Sequence, residues 1–343
     1  MAGKPGNSAG KRRRTARTVL TDESDFDIMV DIERANPYQK KMTAGPSTTQ
    51  ELDEWPTWML NAMDCKPALL QRMMDILRPG TLNTTDYSGT DCPREMAYQL
   101  SMALAKKYNM SESPRFAFVR SCDNAALPQK VLKQIAESLD GGRTCLSPDI
   151  MSPLDNDTLQ FLDAMEPSVE LRTSDLHEDR MKASTMYADM LEWLMSNRAR
   201  LFPNDVTCGC LVHPGGKCKL DASGRDNFLD RLPNVLKINW SGTTCKGWSS
   251  LGDQGRFCDV SEKTHAVWLT QRARMSELGH EDGFFGECTL RYPVEIKLAI
   301  PLEPWMHVVW IKVGPEKLGF PEKRMRVHSF GAGRKRHWRL TNF

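Results

Sequence analysis

Three short stretches of this 343-residue chain place reactive residue types on or directly after expected strands. Cys245 lies in SGTTCKGWSSLG, directly after the apolar run VLKINW. A thiol in a Gly- and Ser-rich turn meets backbone N–H groups that favour its thiolate, the form that attacks electrophilic carbon; in an ordinary loop the same thiol is inert. Glu287 closes the run GFFGE, where a carboxylate either serves acid–base chemistry or is a solvated surface group. Arg324 and Arg326 alternate in GFPEKRMRVHSFG. On one strand they share a face and reach one polar site, although an isolated Arg-x-Arg is also an ordinary basic surface strand.

A fourth constellation, Cys208, Cys210, His213 and Cys218 in TCGCLVHPGGKCKL, holds four zinc-ligand side chains within eleven residues. Its spacing departs from the common CxxC knuckles, and a Gly- and Pro-rich surface loop with reduced thiols also accounts for it. No metal is assigned on this ground. The ten cysteines, without a leading signal-peptide pattern, fit a reduced intracellular chain better than a disulfide scaffold.

These groups need elements to position them. Beyond Gly80, LNTTDYSG precedes REMAYQLSMALAKKY, RFAFVRSCD precedes LPQKVLKQIAESL, and VLKINWSGT precedes SEKTHAVWLTQRARMSEL. Strand-like runs alternating with helical ones predict an α/β fold with a mostly parallel sheet and crossover helices. GFFGECT, MHVVWIKV and RMRVHSFG extend or close that sheet. Residues 1–55 read as a disordered basic and polar tail, too poor in periodic apolar positions to offset chain entropy. Residues 56–79 read as a helical lead-in stopped by Pro79-Gly80, 80–331 as the main domain with a loop insertion at 203–232, and 332–343 as a basic tail.

The 46 basic and 44 acidic residues nearly cancel, so attraction to nucleic acid has to come from local patches such as Lys11–Arg14 or GRKRHWRLTNF. No apolar run reaches the roughly 18 to 20 residues of a membrane span, so no membrane partner is expected.

Cys245, Trp248, Ser249 and Gly252 fall where DNA cytosine-5 methyltransferases carry the Cys, aromatic, Ser and Gly of PCQxFSxxG, and the chain resembles that family. Glu287-Cys288-Thr289 is similar to the family's ENV motif, and positions 319 to 331 to its GxPQxRxRxxxxG element, both in the family's order. The resemblance implies a Rossmann-like S-adenosylmethionine-dependent methyltransferase fold. It implies that the Cys245 thiolate attacks carbon 6 of a flipped cytosine, so that carbon 5 accepts a methyl group. Glu287 would bind ring nitrogen 3 and the exocyclic amine, with its pKa raised by burial; Arg326 would contact the base and Arg324 would support the loop.

For the cofactor, Tyr87, Ser88 and Gly89 in DYSGTDCPREMAYQLSMAL resemble the family's first motif, although its second and third glycines have no match. Ser121 replaces the ribose-binding Glu of the second strand, leaving Asp123, and Asp149-Ile150 resembles the pair that frames the adenine.

The chain departs from the family at Thr244 for Pro, Lys246 for Gln, Cys288 for Asn and Glu322 for Gln. Only twelve residues follow Gly331, so the family's target-recognition domain and final helix are expected to be absent, with a partner chain supplying target recognition. Two functions follow: methyl transfer to cytosine in DNA, or in RNA, or a catalytically degenerate binding or regulatory module on the same fold. The Lys11–Arg14 run is read as a nuclear-import signal, with a cytoplasmic location otherwise.

Overall fold

The computed structural model describes residues 48, 54–62, 64, 67–139, 141–174, 176–213, 215–220, 235–243, 246–249, 255–314 and 324–335. The Lys11–Arg14 run, Thr244, Cys245, Gly252, Pro321, Glu322 and residues 336–343 lie outside the described residues.

The lead-in forms two helices, α1 (Trp55–Ala62) and α2 (Pro67–Leu77). Leu60, Leu70, Met74 and Leu77 bury against Ala103 and Leu104 of α3 (Cys92–Lys107). Gly80, at φ 96°, then turns the chain into β1 (Thr81–Asp86).

From there strands and helices alternate as the periodicity predicts. After α3 come β2 (Phe116–Cys122), α4 (Ala126–Ser138), β3 (Cys145–Ser147), α5 (Asn156–Ala164), α6 (Val169–Thr173) and the long α7 (His177–Leu201). The segment expected as a loop insertion instead carries a small antiparallel hairpin, β4 (Thr207–Gly209) and β5 (Lys217–Lys219), with Cys208 opposite Cys218. Then follow β6 (Leu236–Ser241), α8 (Ser261–Leu278), β7 (Gly283–Thr289), β8 (Met306–Val313) and β9 (Arg326–Gly333).

Seven strands form one sheet in the order β3-β2-β1-β6-β7-β9-β8. Strands β3, β2, β1, β6 and β7 pair in parallel, while β9 runs antiparallel between β7 and β8. This is the Rossmann-like α/β architecture, with a mostly parallel sheet and crossover helices, expected from the alternation of strand and helix. Among the described residues no helix is long and apolar enough to cross a membrane.

The central strand β1 is polar, yet Thr81, Asn83, Thr85 and Asp86 are all buried. Buried polar groups are tolerated when they are hydrogen-bonded. Asn83 Nδ2 donates to Thr81 Oγ1 at 2.8 Å, and Trp240 Nε1 donates to Asn83 Oδ1 at 2.9 Å. Asn239 of β6 donates to both Thr84 Oγ1 and Asp86 Oδ2 at 2.8 Å.

Asp86 is the hub of this network. Its carboxylate takes Arg120 Nη2 of β2 at 2.8 Å on one oxygen, and Asn239 together with Arg272 Nη1 of α8, at 3.1 Å, on the other. Burial raises its pKa, but the two guanidinium groups and the Asn239 amide outweigh it and hold the carboxyl below the ordinary value. Arg272 also pairs with Glu281 at 3.0 Å, and there burial wins over Arg272, pushing the Glu281 carboxyl up to about 8.

Helix α8 is buried on nearly every face: Ala266, Val267, Trp268, Leu269 and Ala273 enter the main core with Met190 and Leu194 of α7 and Phe284 of β7. Burying each large apolar side chain is worth about 1.5–3 kcal/mol. Its polar residues therefore need internal partners; Gln271 Nε2, for example, donates to the Ile150 carbonyl at 2.9 Å.

Asp86→Asn leaves Arg120 and Arg272 without that charge in a buried site and should cost about 3–5 kcal/mol in urea unfolding; a cost below about 1 kcal/mol would remove Asp86 as the hub. Glu281 is raised on folding from 4.5 to about 8, so the native state holds its proton more tightly and stability falls as pH rises across that window. Glu281→Gln should flatten this decline in thermal melts.

Candidate active site at the carboxyl ends of the central strands

The strand order reverses between β1 and β6: the chain runs outward through β2 and β3 on one side and through β6 and β7 on the other. In open α/β sheets ligands bind in the crevice at such a point, beyond the carboxyl ends of the strands. Two loops leave β1 and β6 there: Tyr87-Ser88-Gly89, and the segment that begins Gly242-Thr243. They touch, since a Cβ on Gly242 would lie 3.5 Å from the Tyr87 carbonyl.

The first loop is tightly held. Tyr87, Gly89 and Asp91 all adopt left-handed φ, at 53°, 54° and 66°. For the two non-glycine residues this costs of order 1–3 kcal/mol each, and such strain clusters at ligand sites. Ser88 secures the turn: its hydroxyl meets Thr85 Oγ1 at 2.6 Å and donates to the Cys122 carbonyl at 3.0 Å. The Gly89 N–H donates to Asp123 Oδ2 at 2.8 Å, joining the turn to the end of β2.

The crevice fits a cofactor on two observations. Nothing lies within 4 Å of a Cβ built on Gly89, so the turn faces open space. Ser121 and Ser241, at the ends of β2 and β6, have buried hydroxyls without a partner among the described residues. Asp149 stands at the end of β3, its Oδ1 accepting from Met151 N at 2.9 Å.

On the other side the structure describes both flanks of Cys245. Past it, Lys246–Trp248 form one turn of 3₁₀ helix, and the Trp248 carbonyl accepts from Thr289 Oγ1 of β7 at 3.2 Å. The buried Trp248 indole donates to Glu262 Oε1 at 2.9 Å, and Glu262 forms a buried ion pair with Lys297. Lys297 lies in a π-helical turn, Glu295–Ala299, and its ammonium sits 4.9–5.7 Å from the ring centres of Tyr187, Tyr292, Trp248 and Phe257. Burial lowers the Lys297 pKa, while Glu262 and the ring faces stabilise the charge. His265 bridges Tyr187 Oη, 2.9 Å from Nδ1, and Tyr292 Oη on Nε2; burial and the Lys297 charge hold its pKa well below the usual value, so it is neutral.

Glu287 and Arg326 meet at the end of β7, with Arg326 Nε 2.7 Å from Glu287 Oε1. Strand register makes the contact: Arg326 opposes Thr289 on the antiparallel neighbour β9. Three expectations need correction. The Glu287 side chain is 47% exposed rather than buried, because it is paired with a cation at the rim. Arg324 is exposed ahead of β9 and does not share a strand face with Arg326. Ile150 is a core residue whose carbonyl is taken by Gln271.

The zinc-ligand set changes membership. The ligand atoms of Cys145, Cys210, His213 and Cys218 all lie within 4.8 Å of one another, whereas Cys208 packs into the main core with Leu201, Phe202 and Leu220. Sequence reasoning missed Cys145 because it stands 65 residues before Cys210, counted from 145 to 210, outside any local motif. It also missed Arg120, although an Arg interrupting the apolar run FAFV was a signal of a buried charge. Nothing local marked Glu262 or Lys297.

No family model and no curated protein matches the chain. Solved structures do, among them an Entamoeba histolytica methyltransferase, EhMeth, at 9% identity and a TM-score of 0.33. That match covers 74% of this chain, and the chain spans about half, 53%, of the solved structure.

The Glu262–Lys297 pair makes a further prediction. Lys297→Met strands a buried carboxylate and should cost about 3–5 kcal/mol, whereas Lys297→Met with Glu262→Gln should recover much of it. Unfolding followed by tryptophan fluorescence checks this; additive losses in the double variant would show that the two side chains act independently.

Proposed function

We propose that the chain is an S-adenosylmethionine-dependent methyltransferase acting on carbon 5 of cytosine in DNA, or in RNA, through a covalent cysteine adduct. The observation that supports this most is the meeting of motifs distant in sequence. Glu287 and Arg326 pair at the end of β7, and Thr289, two residues beyond Glu287, holds the segment that carries Cys245.

Tyr87, Ser88 and Gly89 would hold the cofactor at the turn after β1, with Asp123 at its ribose end and Asp149 at its base. When bound there, S-adenosylmethionine supplies the methyl group. The Cys245 thiolate adds to carbon 6, the electron-rich carbon 5 takes the methyl, and loss of the carbon 5 proton with expulsion of the thiolate restores the ring. Glu287 and Arg326 orient the base: the half-exposed carboxylate is open to the cytosine edge, and the guanidinium fixes its direction. The buried Glu262–Lys297 pair positions the segment through Trp248.

The adduct is the test. DNA and RNA containing 5-fluorocytosine lack the proton whose loss releases the enzyme, so incubation with a radiolabelled methyl donor should give a complex stable to denaturation. Cys245→Ser should abolish it, and Glu287→Gln should slow its formation by about 100-fold or more. Cofactor binding without any Cys245-dependent complex would instead favour a non-catalytic module on the same fold.

A further inference from the structure

We propose that Cys145, Cys210, His213 and Cys218 bind one zinc ion in a closed structural site that staples the β4–β5 hairpin to the edge strand β3. The four ligand atoms lie within 4.8 Å of one another. His213 Nδ1 is 3.1 Å from Cys210 Sγ and 3.4 Å from Cys218 Sγ. Tetrahedral zinc, with bonds of about 2.3 Å to sulfur and about 2.0–2.1 Å to nitrogen, sets sulfur and nitrogen ligands roughly 3.5 Å apart. The cluster therefore needs only small adjustments to close on the ion.

The surroundings select ligation over ordinary packing. His213 Nε2 stands 2.6 Å from the Gly142 carbonyl, so the ring proton belongs there and the Nδ1 lone pair faces the sulfurs. All three cysteines are buried. The loop is folded to gather them: the Cys210 N–H donates to the Gly216 carbonyl at 2.6 Å, the Gly216 N–H to the His213 carbonyl at 3.0 Å, and Gly215 and Gly216 take φ of 84° and 63°.

Cys145 enters from a separate element. The Leu211 N–H donates to the Leu146 carbonyl at 2.9 Å, which lays the hairpin along β3 and brings residue 145 to the other three ligands. Three thiolates and an imidazole form a soft set suited to zinc, and with four protein ligands no position is left open for a substrate. The role is then structural. Strand β3 ends the sheet, and the hairpin covers this edge. Gly209 also abuts Pro148, where an added Cβ would stand 3.4 Å from the ring, so the staple steadies the stretch leading to Asp149.

The full chain, purified without chelator and desalted, should carry about one zinc per molecule by elemental analysis. Zinc-edge X-ray absorption should report three sulfur ligands and one nitrogen, and cobalt substitution should give the strong visible bands of a tetrahedral thiolate site. Cys145→Ser should lose most of the zinc, whereas Cys208→Ser should keep it. The proposal is overturned by a wild-type chain essentially free of zinc, by a disulfide among these cysteines, by a shell containing oxygen or four sulfurs, or by zinc that depends on Cys208 and not Cys145. The absorption measurement uses the wild-type chain, so it decides even if Cys145→Ser does not fold.

Discussion

A buried carboxylate governs this structure. Asp86 ends the central strand, and its two oxygens take charge or hydrogen bonds from β2, β6 and α8 at once. Such a group in a low-dielectric interior tolerates little displacement, because any partner that moves away leaves an uncompensated charge. The three elements are therefore held in register where the strand order reverses. The next residue, Tyr87, starts the left-handed turn that faces the crevice, so the hub that orders the core also sets the geometry of the candidate cofactor cradle.

Helix α8 carries this constraint to the opposite wall. Arg272 reaches Asp86, and Glu262, ten residues earlier, reaches Lys297 and Trp248. At about 1.5 Å per residue the two lie roughly 15 Å apart along one rigid rod. One helix thus positions both the turn after β1 and the flank of the Cys245 segment. Its burial on nearly all faces follows from that double duty, since polar side chains on it have internal tasks rather than solvent to meet.

The alternation of strand and helix was legible because apolar runs such as VLKIN and FAFV, punctuated by Gly and Pro, have distinct periods. The Glu287–Arg326 meeting was legible too, though only as two halves of a motif order; the antiparallel register of β7 and β9 makes the contact. Burial was not legible at single charged residues. Glu287 was expected inside and lies at the rim, whereas Lys297 and Arg272, indistinguishable by type from surface residues, are buried. Long-range partners were invisible for the same reason: Cys145 joins Cys210, His213 and Cys218 through the placement of a three-residue strand, which leaves no local spacing to read.

The proposed function depends on a cofactor crevice at the switch point between β1 and β6. Hydrogen exchange read by mass spectrometry, with and without S-adenosylhomocysteine, tests it most directly. Protection gained at residues 86–91, 121–125, 147–151 and 241–243, with α1 and α2 unchanged, is the predicted result. No binding at millimolar ligand, or protection confined to other elements, would contradict it.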